Sequence, residues 1–589
     1  MVGNYVVPLR VRQHSVGSSC QAGGSVCITS ACPCLARTPV TVQPLDDPFY
    51  YLNNFSRVLD WLEPRYGDVL NDEEQRFLTD FRGLSKASQA LLVRMVMRKG
   101  PLYRASKLNY AEIGCTIEAA APLLALGWLD DRQPLSLEQL FEVLVKPEIA
   151  SCFAPLLAHP RASKPDLLAA LLPQCTQVQA WQQWCPTLDD QLYVLKVRPL
   201  CDRLRLLFFG NLYQDWTEFV LADLGLLRYE TVELGAESRA LRCRADLEAY
   251  LALHASGEAF EAGVEVGLVL DQVNAARSAN PWLERRRGKL LFHLGQHCER
   301  SAQWDTALAI YQDCPHPEAR LRAVRVLERS ERFEAAMVLA CTVEQAPFNA
   351  AETQQLQRIM PRLRRKLGLA AAAKPCQAPV LRIDLTLPYP PEGCSVEHAV
   401  LMHLNEEQGA VHYVENTLLN SLFGLLCWPA IFAPLPGAFF NPFQSGPADL
   451  HDAEFRLRRA ELFAGCLAQL DDGSYKATIR QRYQDKFGLQ SPFVFWGDLS
   501  PALLEEALLC LPTAHLKHCF ERLLGDIKAN RAGMPDLIQF WPQQGRYRMI
   551  EVKGPGDRLQ DNQLRWIEFC SQHDMPVTVC YVQWAEPGA

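Results

Sequence analysis

The stretch from Gly533 to Trp566 constrains this chain more than any other. It reads Gly533-Met534-Pro535-Asp536-Leu537-Ile538, breaks at Gln543-Gln544-Gly545, and resumes as Tyr547-Arg548-Met549-Ile550-Glu551-Val552-Lys553-Gly554-Pro555. Two short apolar runs around a turn signal predict a β-hairpin. Side chains alternate faces along a strand, so Glu551 and Lys553 share one face and Val552 takes the other. Two acids, Asp536 and Glu551, then meet one ammonium beside a Gly-Pro break. A carboxylate pair suits a hard divalent cation, Mg²⁺ or Mn²⁺, which takes oxygen ligands and keeps waters. Such an ion lowers the pKa of a bound water and polarises a phosphoryl oxygen. The lysine steadies negative charge that builds up at phosphorus. These are the parts of a phosphodiesterase site. A bare Glu-x-Lys is more often a solvated strand face, but the upstream Pro-Asp, the hairpin spacing and the following Gly-Pro favour the nuclease reading.

The chain continues through Asp557-Arg558-Leu559 to Gln563 and Trp566, and Asp557–Gln572 reads as a helix. Pro535-Asp536 with Glu551-Val552-Lys553 resembles the PD-(D/E)xK nuclease pattern, and the fuller string resembles its VRR-NUC branch. Within that branch the chain is most similar to the Fanconi-associated nucleases, densely over about residues 395–585. The resemblance implies a metal-dependent, structure-specific DNA nuclease: a 5′-flap endonuclease and 5′-to-3′ exonuclease on branched DNA, in interstrand crosslink repair. It also implies that Glu415, Asp536, Glu551 and the main-chain carbonyl of Val552 hold one or two Mg²⁺ or Mn²⁺ ions. Asp536 would bridge cation and phosphate, Lys553 would orient the attacking water, and Gln563 would support the site from behind. A Holliday-junction-type resolvase and a non-catalytic helical-repeat DNA-binding scaffold are the competing readings.

At 589 residues the chain exceeds one core, and about three or four domains are expected. Composition is globular, 49% hydrophobic and 21% charged, with a net charge of −8. An acidic total still permits a local basic groove for phosphate contact. The apolar stretch Leu418–Phe440 is interrupted by Asn420, Ser421, Pro429, Pro434 and Pro436, which argues against a bilayer span. A cytoplasmic chain acting at the nucleoid is expected. The 21 cysteines are scattered, which suits reduced core thiols better than disulfides. Cys20, Cys27, Cys32 and Cys34 lack the paired C-x2-C spacing of a zinc fold.

The expected architecture is multidomain, with α-helical N-terminal and TPR-like regions followed by an α/β nuclease domain with a mixed sheet. Residues 1–40 read as a disordered leader. Residues 41–234 read as a helical DNA-binding region. Within it, Ser85 or Ser88 caps a helix bearing Arg94, Arg98 and Lys99, and Ser163-Lys164-Pro165-Asp166 opens like a SAP-type helix pair. These basic residues are candidate DNA contacts, and an ordinary solvated face is the equal alternative.

Residues 235–370 read as a TPR-like helical region. The segment at Gln303-Trp304 is echoed at Arg332-Phe333, about 29 residues on, short of the usual ~34. A linker follows at 371–380, then the nuclease domain at 381–589. There, Val411 to Trp428 reads as a buried helix with Glu415 near its start, either binding a cation or favouring the helix dipole. A basic strip with interleaved tyrosines includes Arg480 and Arg482 as candidate DNA contacts. An amphipathic helix over Leu503–Leu524 makes His515, His518 and Cys519 packing residues rather than ligands.

Overall fold

A computed structural model of the chain describes residues 47–214, 216, 227–371, 380–391 and 393–585. The four N-terminal cysteines, the leader and the linker core at 372–379 lie outside them.

The first helix, Tyr50–Tyr66, buries Tyr51, Leu52, Phe55, Val58, Leu59 and Leu62 along one face. The next, Asp72–Gly83, starts with a capping box between Asn71 and Glu74, and Ser85 caps the basic helix Lys86–Val96. Glu74 is fully buried and takes Arg203 and Arg244 as ion partners, tying this helix to later ones. Three short strands, β1 (Leu102–Arg104), β2 (Leu129–Asp130) and β3 (Leu192–Leu195), form a sheet of order β1-β3-β2. A satellite core gathers Leu137, Leu140, Phe141, Leu167 and Trp181. Its Lys164–Leu171 helix is capped by Ser163, at the place the Ser-Lys-Pro-Asp string indicates.

From Arg244 to Lys366 the chain is a run of seven helices among the described residues. The repeat legible at Trp304 and Phe333 is written in the backbone too. Ala302 and Glu331 both adopt positive φ, 57° and 60°, in the turns that precede those two residues. Close packing between neighbouring helices rests on Gly295, where a Cβ would stand 2.6 Å from the Tyr311 ring.

The C-terminal sheet has order β4-β8-β7-β6-β5, from β4 (Leu381–Leu387), β5 (Ala410–Tyr413), β6 (Leu537–Trp541), β7 (Arg546–Lys553) and β8 (Val577–Trp584). It is mixed: β4 and β7 run parallel to β8, and β5, β6 and β7 are antiparallel in turn. The predicted hairpin is β6–β7, closed by Pro542–Gln544 and a left-handed Gly545 at φ 57°. The Asp561–Gln572 helix crosses from β7 to β8, as parallel neighbours require. One sheet face (Ile538, Phe540, Tyr547, Met549) packs on the helices of the large core, and the other (Leu537, Ile550, Val552, Cys580) on a smaller one.

Three expectations change. Val411–Tyr413 is strand, not the start of a helix, and the buried helix begins only at Leu418. The expected helix over Leu503–Leu524 is two, Pro501–Cys510 and Thr513–Gly525, because Pro512 cannot continue the first. The last helix starts at Asp561 rather than Asp557, after a turn in which Asp557 accepts the Gly554 amide.

On an open helix face Gly295→Ala would gain about 1 kcal/mol of helix propensity. Here the Tyr311 ring has to move, at about 1–3 kcal/mol. The expected outcome is a lowered urea midpoint, and a raised one would contradict this packing.

Candidate active site

Strand register assembles the site. In the β6–β7 ladder Leu537 pairs with Ile550, so continuing one step sets Asp536 opposite Glu551 on the same face. In the β5–β6 ladder Tyr413 pairs with Leu537. That ladder continues as the Val414 amide donates to the Asp536 carbonyl at 2.8 Å, which places Glu415 just beyond. Three adjacent strands, about 4.8 Å apart, therefore deliver three carboxylates to one end of the sheet. Lys553 follows Glu551 on the same face.

Asp536, Glu551 and Lys553 are buried. One Asp536 oxygen accepts the Val552 amide at 2.8 Å. Lys553 Nζ stands 2.7 Å from Glu551 Oε1, yet neither Glu551 oxygen has an aligned hydrogen-bond donor. The contact is one of charge rather than a directed bond. Burial, followed by the neighbouring Asp536 charge, pushes Glu551 up to about 8, against the pull of Lys553. Burial raises Asp536 to about 6, opposed by the Val552 amide and Lys553, with Glu415 and Glu397 adding repulsion.

Glu415 is half-buried, in the turn before the Leu418–Leu426 helix rather than on it. Its Oε2 accepts from the Tyr413 hydroxyl at 2.5 Å and its Oε1 from Asn416 Nδ2 at 3.2 Å. Among the described residues no three Asp, Glu, His or Cys side chains close on one point as a ligand group. Glu551 leans to Lys553, and Glu415 to Tyr413 and Asn416. The donor set still fits a cation: three acids against one ammonium leave excess negative charge, and both buried Glu551 oxygens lack the hydrogen bonds that such groups require.

Gln563 accepts the Gln560 amide at 2.8 Å and caps its own helix. That helix supports the site through its neighbours. A Cβ on Gly533 would meet Asn562 at 2.7 Å, and Trp566 Nε1 donates to the Asn530 carbonyl at 3.1 Å. The helix start is thus pressed against the turn that leads into Asp536.

The candidate DNA contacts divide. Arg94 is engaged inside the fold, bonded to Glu112 at 2.7 Å and stacked over Tyr51. Arg482 caps the carbonyls of Leu425 and Leu426. Both candidates are thus engaged by partners within the fold. Arg480 forms a surface pair with Glu505, whereas Arg98 and Lys99 are exposed, Arg98 over the Tyr110 ring. His515 bonds the Tyr547 hydroxyl and Cys519 packs on Met575, so both are packing residues as expected. Sequence reasoning missed Tyr413 and Asn416, since a tyrosine and an asparagine beside an acid carry no pattern of their own. No described helix is long and apolar enough to cross a membrane.

The chain resembles known proteins over most of its length. The VRR-NUC domain family matches residues 470–584, the FAN1 HTH domain residues 49–130, and the Fanconi anemia-associated nuclease SAP domain residues 134–184. A Fanconi-associated nuclease 1 homolog of Pseudomonas aeruginosa is 56% identical over 93% of this chain and 98% of its own length. The human Fanconi-associated nuclease 1 is 24% identical over 90% of this chain, which spans 62% of that protein. The crystal structure of paFAN1 bound to 2nt 5′ flap DNA with gap superposes with a TM-score of 0.87 at 56% identity, over 92% of this chain and 100% of the other. A second paFAN1 structure, with 1nt 5′ flap DNA, gives 0.85. With identity at that level across almost the whole of both chains, this protein belongs to the Fanconi-associated nuclease family and is a nuclease of the PD-(D/E)xK type, a class that works with divalent cations.

Proposed function

We propose that this chain cleaves branched DNA as a 5′-flap endonuclease and 5′-to-3′ exonuclease in crosslink repair. Glu415, Asp536, Glu551 and the Val552 carbonyl would hold Mg²⁺ or Mn²⁺. The observation that carries the reading is that strand register brings Asp536, Glu551 and Lys553 together at one sheet end, with Glu415 in the turn just beyond β5. It is supported by a relative of 56% identity whose structures carry 5′ flap DNA. When bound, a divalent cation supplies an activated water and polarises the phosphoryl oxygen. The chain's own residues do the remainder. Asp536, with one oxygen fixed by the Val552 amide, would use the other to bridge the cation and the phosphate. Lys553 orients the attacking water and offsets charge on the phosphate as its bond to the leaving oxygen breaks. Of the five candidate contacts, Arg98 and Lys99, exposed on the N-terminal region, and Arg480, in a surface pair with Glu505, are the ones offered to phosphate. Gln563 keeps the last helix in place and acts on the site only through it.

Asp536→Ala and Lys553→Ala are each expected to cut cleavage of an end-labelled 5′ flap by about 10²–10³-fold or more, with flap binding held within about threefold. The same assay on a 3′ flap, a four-way junction and a blunt duplex, under each metal, measures branch preference and cation. Undiminished metal-dependent cleavage by either variant, or equal cleavage of all four substrates, would contradict the proposal.

A second expectation concerns pH. Glu551 is raised to about 8 in the folded chain, against about 4.3 in an unfolded one. It therefore contributes stability at low pH that is lost as pH climbs through its folded value. In chelator the melting temperature is expected to fall from about pH 4.5 to 8, the span between the unfolded and folded values, and saturating Mn²⁺ to flatten the fall. A profile unaffected by Mn²⁺ would contradict a cation site here.

A further inference from the structure

Asn416 sits where the two acid-bearing segments of the site meet, and it holds a conformation that few residues other than glycine adopt. Its φ is 55°, among four positive-φ non-glycine residues in the described chain. Left-handed backbone is disfavoured for an ordinary L-residue and less so for asparagine. Such positions persist where surrounding bonds over-determine them, and those bonds are on view. Asn416 Oδ1 accepts the Gly533 amide at 2.8 Å and the Met534 amide at 3.1 Å. Its Nδ2 donates to Glu415 Oε1 at 3.2 Å. Its own carbonyl accepts from Asn420 Nδ2 at 2.7 Å, and that same nitrogen reaches the Arg531 carbonyl at 2.8 Å.

One side chain therefore joins the Glu415 carboxylate to the Gly533-Met534 backbone two residues before Asp536. The opposite side of that turn is closed by Asn562, against which Gly533 has no room for a Cβ. Aspartate at 416 would keep the acceptor but repel Glu415, and glycine would keep the backbone and lose all three side-chain bonds. We infer that Asn416 is a positioning residue that fixes Glu415 and Asp536 in one frame for the cation and the phosphate. The inference rests on the assignment of Glu415 and Asp536 as cation ligands made above. Second-layer partners of this kind alter metal affinity or rate by about 10–100-fold.

The test is Mn²⁺ binding to the full chain by calorimetry without DNA, followed by kcat and KM on a 5′-flap duplex. N416G accepts the left-handed backbone, so it is expected to fold, with a melting midpoint lowered by the loss of the Gly533 and Met534 amide bonds. Its Mn²⁺ affinity is expected to fall at least about tenfold and kcat similarly, with KM for DNA unchanged. Should N416G fail to fold, N416D decides, with kcat about tenfold down at an unshifted melting midpoint. Parental Mn²⁺ affinity and kcat in the deciding variant would overturn the inference. D536A separates the two levels: if it binds Mn²⁺ as the parent does, the cation assignment fails rather than the role of Asn416.

Discussion

The antiparallel register of three neighbouring strands is the constraint on which the site depends. A slip of one residue between β6 and β7 would send Asp536 and Glu551 to opposite faces. The register is held from both faces, by Ile538, Phe540, Tyr547 and Met549 on one and by Leu537, Ile550 and Val552 on the other. Apolar burial thus places side chains that burial itself disfavours. Glu551 is fully buried with no aligned donor on either oxygen, and the fold tolerates it because the sheet around it leaves no other position for residue 551. A nuclease gains from this: charges held in a dry, fixed frame act on a phosphate more strongly than they would in water.

The flanking regions lock onto the same frame. The Arg358 guanidinium grips Asp561 at the start of the last helix with two bonds, at 2.5 and 2.6 Å, while Gln354 reaches the Asp561 carbonyl and accepts from Arg565. As a surface pair Arg358–Asp561 is worth little in stability, about 0–1 kcal/mol. Its consequence is geometric: the helical array grips the helix that presses on the Gly533 turn. Asn349 with Asp526 and Lys528 with Glu318 add further ties between the array and the segment before that turn.

How far this was legible in the sequence follows from how local each signal is. The hairpin could be read because strand alternation and Gly545 are properties of adjacent residues. The caps at Ser85 and Ser163 were legible for the same reason, and so was the 29-residue echo between Trp304 and Phe333. The β5 strand was hidden because its four residues run into the apolar stretch of the next helix with no break in hydropathy. The β4 strand did carry a signal, with Leu381, Ile383, Leu385 and Leu387 alternating with polar residues, but at a sheet edge that pattern is largely exposed. Arginines were read least well. Whether one is free for a phosphate depends on partners remote in sequence, as with Glu112 for Arg94, the Leu425 carbonyl for Arg482, and Asp449 for the fully buried Arg459. Glu415 was found through family resemblance. Its turn, its bond to Tyr413 and its link to Asn416 are tertiary facts that no local pattern announces.

The most direct test of the central claim is anomalous diffraction from crystals of the full chain soaked in Mn²⁺. The account predicts a manganese peak bounded by oxygens of Glu415, Asp536 and Glu551 and the Val552 carbonyl. A peak elsewhere with these carboxylates still unliganded, or no peak at Mn²⁺ concentrations that support cleavage, would contradict it.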